Sequence, residues 1–196
     1  MAQPTTTFLD ELLAAARGCV ALLAGNRQAP AFFDFSQRGL VGSFIALVLS
    51  FGIQILVPQA LGSPAPAGVS IGVLLLGALV VGVQFGAAWL VLRQLGRLDG
   101  FTPFLVAQNW ASLFQTLIAV SVIALLGEPF ALAPDGEMVQ FTTASLPFVA
   151  IGIGAIVLSV NIARLILTLR PLHVALFVGT QLATMLFIQP MMSALV

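Results

Sequence analysis

Lysine is missing from the 196 residues, so all seven basic side chains are arginine. There is one cysteine and one histidine. Cys19 alone excludes an intramolecular disulfide and any cysteine-cluster metal site. His173 has no carboxylate or thiol near it in sequence, which makes it a poor metal ligand. It also gives little support to a nucleophile–base–acid set. No glycine-rich nucleotide loop, C-x-x-C or H-E-x-x-H occurs. No metal and no cofactor are therefore expected. Charged residues make up 7% of the chain, against about 25% in soluble globular domains. The formal net charge is zero, so nothing draws the chain electrostatically to nucleic acid.

What is abundant is apolar. Hydrophobic residues are 60% of the chain and the mean hydropathy is +1.11. That leaves too little polar surface to coat a water-soluble domain of this size. The apolar residues come in long blocks without alternation, which excludes the strand pattern of an outer-membrane barrel. Helices remain as the way to satisfy backbone polar groups in lipid. The blocks run over about 39–57, 68–92, 103–126, 147–169 and 172–195, each near the roughly 20 residues that cross a hydrocarbon core. Pro103, Pro147 and Pro171 stand at or beside block starts, where a missing N–H costs little. Pro190 lies near the end of the last block, placed to kink or finish it. The expected fold is an all-α polytopic bundle of five spans (39–196) behind a cytoplasmic N-terminal segment (1–38).

Within that segment, residues 7–25 read as an amphipathic helix. Thr7 can cap it, with Asp10 and Glu11 in the first turn. Phe8, Leu12, Ala15, Ala16, Cys19, Leu22 and Leu23 recur at helical spacing, with Asp10 and Arg17 opposite. Such a helix can lie in the membrane interface, pack on the protein's own loops, or do both. Asp34 and Gln37 are candidates for a capping-box variant at the first span. Asp10 and Glu11 occupy the place of a signal peptide's basic region, and Arg17 fits a lipoprotein cleavage site poorly, so the chain is expected to stay uncleaved.

Arginine placement gives orientation. Arg17, Arg27 and Arg38 precede the first span, Arg93 and Arg97 follow the second, and Arg164 and Arg170 close the fourth. With five spans every arginine falls on one side, which the positive-inside rule assigns to the cytoplasm. Glu128, Asp135 and Glu137 then lie outside as a solvated acidic loop, and the C-terminus is periplasmic. Richness in Ala, Gly, Leu, Val and Arg suggests GC-rich codons, hence a bacterial inner membrane.

Candidate sites are few. The spans hold no Asp, Glu or Lys, the usual mark of proton or cation relays. Asn161, Arg164, Arg170 and His173 can form a lipid-headgroup or anion site at the cytoplasmic surface; the plainer reading is an arginine snorkelling at the interface. Gln108, Asn109 and Gln115 are polar within the third span and can line a small cavity, or serve as hydrogen-bonding glue between helices. Gly82 and Gly86 make a G-x-x-x-G that lets helices approach closely, within one chain or between two.

The sequence around Leu22 and Leu23, then Pro30, then Phe32 and Phe33, followed by five closely spaced apolar blocks, resembles the Yip1-like membrane proteins. The resemblance covers the chain from about Leu22 to its end. It implies a five-helix domain and, from eukaryotic members, roles in vesicle trafficking and membrane shaping. It carries over no catalytic residue.

Three functions follow as expectations, in this order. The first is a non-enzymatic membrane organiser or accessory subunit, with the bilayer and another membrane protein or further copies of itself as partners. The second is a small oligomeric transporter using the polar residues of span three. The third is a lipid-modifying enzyme built on Arg164, Arg170 and His173.

Overall fold

A computed structural model of the chain describes residues 7–60, 71–132 and 139–193. Helix α1 (Phe8–Leu23) is followed by a 3-10 turn (Ala29–Phe32). The long helices are α2 (Gln37–Ala60), α3 (Ile71–Gln94), α4 (Phe101–Leu126), α5 (Ser145–Asn161) and α6 (Pro171–Ser193). Five stretches are long and apolar enough to cross a membrane: Gln37–Val57, Leu76–Gln94, Leu98–Leu126, Ser145–Ile166 and Pro171–Ile188. The chain is an integral membrane protein of the five-span, all-α kind expected from its sequence. The fourth stretch has 22 residues, enough for a full crossing. Helix α6 runs on through Pro190. A small hairpin, β1 (Phe130–Leu132) against β2 (Val139–Phe141), joins α4 to α5 in antiparallel register, Phe130 opposite Phe141. Part of the acidic loop is accounted for by it, while Asp135 and Glu137 lie outside the described residues.

The helix starts follow local chemistry. Thr7 caps α1 in a capping box: its hydroxyl accepts from Asp10 N–H, and the Asp10 carboxylate accepts from Thr7 N–H at 2.9 Å. At α2 the sequence expectation needs correcting. Ser36, one residue ahead of Gln37, accepts from Gly39 N–H at 3.3 Å. Asp34 instead accepts from Ser36 N–H at 2.9 Å, an Asx turn that shapes the approach.

Four contacts join, at one end of the bundle, the helix ends and connections on which the arginines stand. Arg38 pairs with Glu11 of α1 at 3.3 Å. Arg97, between α3 and α4, donates to Leu167 O and to Thr168 Oγ1 beyond α5, both at 2.9 Å. Asn161 of α5 donates to Leu22 O of α1 at 2.7 Å. The buried apolar side chains of the spans lie in or just past the half nearer this arginine end. They include Ala46 and Leu47 of α2, Ala88, Val91 and Leu92 of α3, Phe104 to Ala107 and Trp110 of α4, Leu158 and Ile162, and Phe177 and Val178 of α6. Burial of four consecutive residues, Phe104 to Ala107, means that α4 is enclosed on all sides there and forms the axis of the bundle.

Aromatic rings hold this hub together. Phe44, Phe85, Phe104 and Phe177, one each from α2, α3, α4 and α6, meet edge to face in series at 6.5, 6.3 and 5.2 Å. Such pairs contribute about 0.5–1.5 kcal/mol each beyond their buried area. Phe8 of α1 rests on Trp110 of α4 at 5.7 Å. Polar bonds fix register between the parallel helices α2 and α4: Asn109 Nδ2 to Ser43 Oγ at 3.1 Å, and Gln54 Nε2 to Thr116 Oγ1 at 3.0 Å. Gln181 of α6 donates to Gln84 O of α3 at 3.3 Å.

Candidate functional site

The arginine end is where the polar groups of this chain converge. Helix α1 lies there, with Ala15, Cys19 and Leu22 buried against the spans. Burial pushes the Cys19 thiol up to about 12. On the face of α1 turned away from that buried stripe, Leu9, Leu13 and Val20 are 65%, 58% and 67% exposed. Arg17 and Asp10 occupy the next strip around the helix and are exposed. The Thr7 backbone N–H, and then its hydroxyl, hold the Asp10 carboxyl below its ordinary value.

The turn after α5 is unusual. Ile162–Ile166 winds as a π-helix, a form that appears mostly as single turns and often near functional sites. Thr168 then takes a φ of 49°, the left-handed region in which a β-branched residue is an outlier. Arg97 secures this conformation through its two bonds to Leu167 and Thr168. Leu167 is itself buried, over Gly100.

Asn161 is buried and spends its amide on α1. Arg164 and Arg170 are exposed, and His173 is half-buried. No hydrogen bond or ion pair joins these four among the described residues. Asn161 thus stands apart from the exposed arginines, at a different depth and with its own partner. A pocket of about 280 Å³ between α1, the 3-10 turn and α4 is lined in part by Asp10, Glu11, Asp34 and Trp110. Its carboxylates already have partners, in Thr7, Arg38 and Ser36. Among the described residues no group of three or more His, Cys, Asp or Glu could hold a metal ion.

The polar residues of α4 face different ways. Asn109 is buried on the α2 side, with its Oδ1 unpartnered. Gln115 lines a groove between α4 and α5. Gln108 is half-buried. Gly82 and Gly86 are exposed, and a Cβ at either would meet nothing within 4 Å. The close approach their spacing permits is therefore not used among the described residues. Sequence reading missed the roles of Arg97, of the Leu22 carbonyl and of the Glu11–Arg38 pair. Their partners lie far away in sequence, and backbone carbonyls have no sequence signature.

No family model, no curated protein and no solved structure matches this chain.

Proposed function

We propose that this is a non-enzymatic membrane protein that organises the bilayer or serves as an accessory subunit of a membrane complex. In this reading the arginine end faces the cytoplasm of a bacterial inner membrane and α1 lies in the interface. The observation that carries it is the double facing of α1. One stripe docks on the bundle, while Leu9, Leu13 and Val20 stay uncovered beside Arg17. A helix with an apolar flank and a charged strip suits the boundary between headgroups and acyl chains. The likeness to Yip1-like proteins belongs to the same proposal and rests on Leu22, Leu23, Pro30, Phe32 and Phe33. A conduit along α4 has less support, because Asn109 is buried against Ser43 of α2 while Gln115 lines the groove between α4 and α5.

The test is mild extraction of the tagged full chain from its own membrane, with quantitation of what co-purifies. A partner in fixed stoichiometry supports the accessory role. A partnerless protein that moves a solute across liposomes on its own overturns it.

A further inference from the structure

Where α4 passes into α5, at the end of the bundle away from the arginines, the chain forms the β1–β2 hairpin. Its base is knitted to the start of α5. Thr142 N–H donates to Pro129 O and to Ser145 Oγ, at 3.3 and 3.0 Å. The Thr142 hydroxyl donates to Glu128 O at 2.6 Å, and the Ser145 hydroxyl donates to Pro129 O. Pro129 and Ser145 are buried in this knot. Its depth follows from the fourth crossing stretch, Ser145–Ile166. The 22 residues make about 33 Å of helix, and the hydrocarbon core is about 30 Å thick. Arg164 is exposed at one end of that stretch and marks one boundary. Ser145 and the hairpin base therefore stand at the other.

The rung next to the base is aromatic. Phe130 and Phe141 sit opposite each other, with ring centroids 5.7 Å apart and edge to face. Though paired, they are 52% and 78% exposed. Leu125 and Leu126 before the hairpin and Leu146 after it are exposed too, so the apolar surface of the two span ends runs on into the rung. Gln140, next to Phe141, is exposed as well, and strand alternation puts it on the opposite face. A lone two-stranded hairpin is marginal in water, and its two uncovered rings add a cost that burial removes. Hydrocarbon cannot take the whole hairpin, because open strand edges carry unpaired backbone groups. The rings can enter while the strands stay among the headgroups. Aromatic side chains at both boundaries fix the depth of membrane helices. Here tyrosine is absent, and the two tryptophans, Trp89 and Trp110, lie in the halves of α3 and α4 nearer the arginines.

We propose that the Phe130–Phe141 rung is a membrane anchor, its two rings dipping into the ester and upper acyl zone of the leaflet away from the arginines and holding the α4–α5 connection on the lipid surface. No basic residue occurs between Arg97 and Arg164, and Glu128 beside the rung is exposed. The surface therefore takes lipid by its apolar zone, without preference for anionic headgroups.

The experiment uses the full, unaltered chain in liposomes of phosphatidylethanolamine and phosphatidylglycerol. A trace of phosphatidylcholine carries a diazirine close to the ester of one acyl chain, and adducts are mapped by mass spectrometry after illumination. Adducts on Phe130 and Phe141 are expected at least fivefold above those on Gln140 and Thr143. Labelling of Leu125 and Leu146 with the rings no higher than Gln140 overturns the proposal. A second measurement places a nitroxide at Phe141→Cys, Gln140→Cys or Val149→Cys, each in the Cys19→Ala background. Collisions with oxygen relative to a water-soluble nickel chelate should give position 141 a ratio within threefold of Val149, which is lipid-facing by exposure, and at least fivefold above Gln140. A ratio at 141 equal to that at 140 overturns the anchor. So does protection of 141 from both agents, the mark of a covering protein.

Discussion

Asn161 on α5 donates its side-chain amide to the carbonyl oxygen of Leu22 at 2.7 Å, across 139 positions of sequence. The last carbonyls of a helix have no partner inside it; the Leu22 carbonyl accepts from Gly25 N–H of the following turn at 2.9 Å, and Asn161 fills its second lone pair. Asn161 thus closes the C-terminal turn of α1 and ties that helix to the fourth span. Asn161→Ala removes one of the carbonyl's two donors and leaves the Gly25 bond in place, at a cost of about 0.5–1.5 kcal/mol, and the last turn of α1 should loosen from the fourth span. Cys19, buried one turn earlier, is the reporter. Its alkylation by a small maleimide in mild detergent is expected to accelerate severalfold in Asn161→Ala. An unchanged rate would mean that apolar contacts alone hold α1.

The same thiol gives a pH prediction. In the folded chain burial raises its pKa from 9.0 to about 12. Below pH 9 both folded and unfolded chains keep the proton and the group contributes no pH dependence. Between 9 and 12 the unfolded chain loses it while the folded chain does not, so the unfolded state binds fewer protons and stability falls as pH rises. The slope approaches about 1.4 kcal/mol per pH unit at most. Relative to Cys19→Ala, the wild type should lose melting temperature steadily from pH 9 upward. Parallel curves for the two proteins would show a thiol that water reaches.

The architecture was legible because bilayer crossing writes itself into composition: five blocks of apolar residues, prolines at their edges and arginines on alternate connections. Thr7 was legible as a cap for a similar reason, since its partner Asp10 is three residues away. What could not be read depends on pairs distant in sequence. Nothing in an apolar helix marks Phe44, Phe85, Phe104 and Phe177 as one chain of rings, because each is a single aromatic among many. The start of α2 went to Asp34 because Asp and Ser are both good caps. Only the backbone path shows Asp34 turning the chain one step earlier, leaving Ser36 to cap. Asn161 was grouped with Arg164 through helical spacing, yet a π-helical turn begins at Ile162 and the two residues go to different environments. Gln115 was read with Asn109, although they leave α4 on separate faces.

Gly39 is fixed by that same approach turn. A Cβ placed there would fall on the backbone carbonyl of Asp34, with the Asp34 Cβ at 2.7 Å. Those atoms belong to a turn held by Ser36, so they cannot swing aside as a side-chain tip would. Gly39→Ala should destabilise the chain by about 1–3 kcal/mol, as overpacking of a well-packed site does. Gly52→Ala is the matched control, since a Cβ there meets nothing within 4 Å and alanine is the better helix former. Thermal melts in detergent should separate the two, with Gly39→Ala melting well below the wild type and Gly52→Ala at or above it. Equal melting points would mean that the 34–36 turn relaxes freely.

Gly82 and Gly86 lie one turn apart on the exposed side of α3, with Val83 beside them. Close helix approach in a membrane rests on such small residues, because lipid tails are as apolar as leucine and contact area must come from tight packing. Among the described residues nothing takes advantage of them: neither position has a neighbour within 4 Å of a Cβ. This is the face that close packing against the α3 of a second copy would use. Replacing glycine by leucine at either position adds a better helix former without an intrachain clash, so Gly82→Leu and Gly86→Leu should melt no lower than the wild type. Energy transfer between donor- and acceptor-labelled chains in liposomes should nonetheless fall to background in both variants. Wild-type chains that show no transfer, or variants that keep it, would leave this face of α3 to lipid alone.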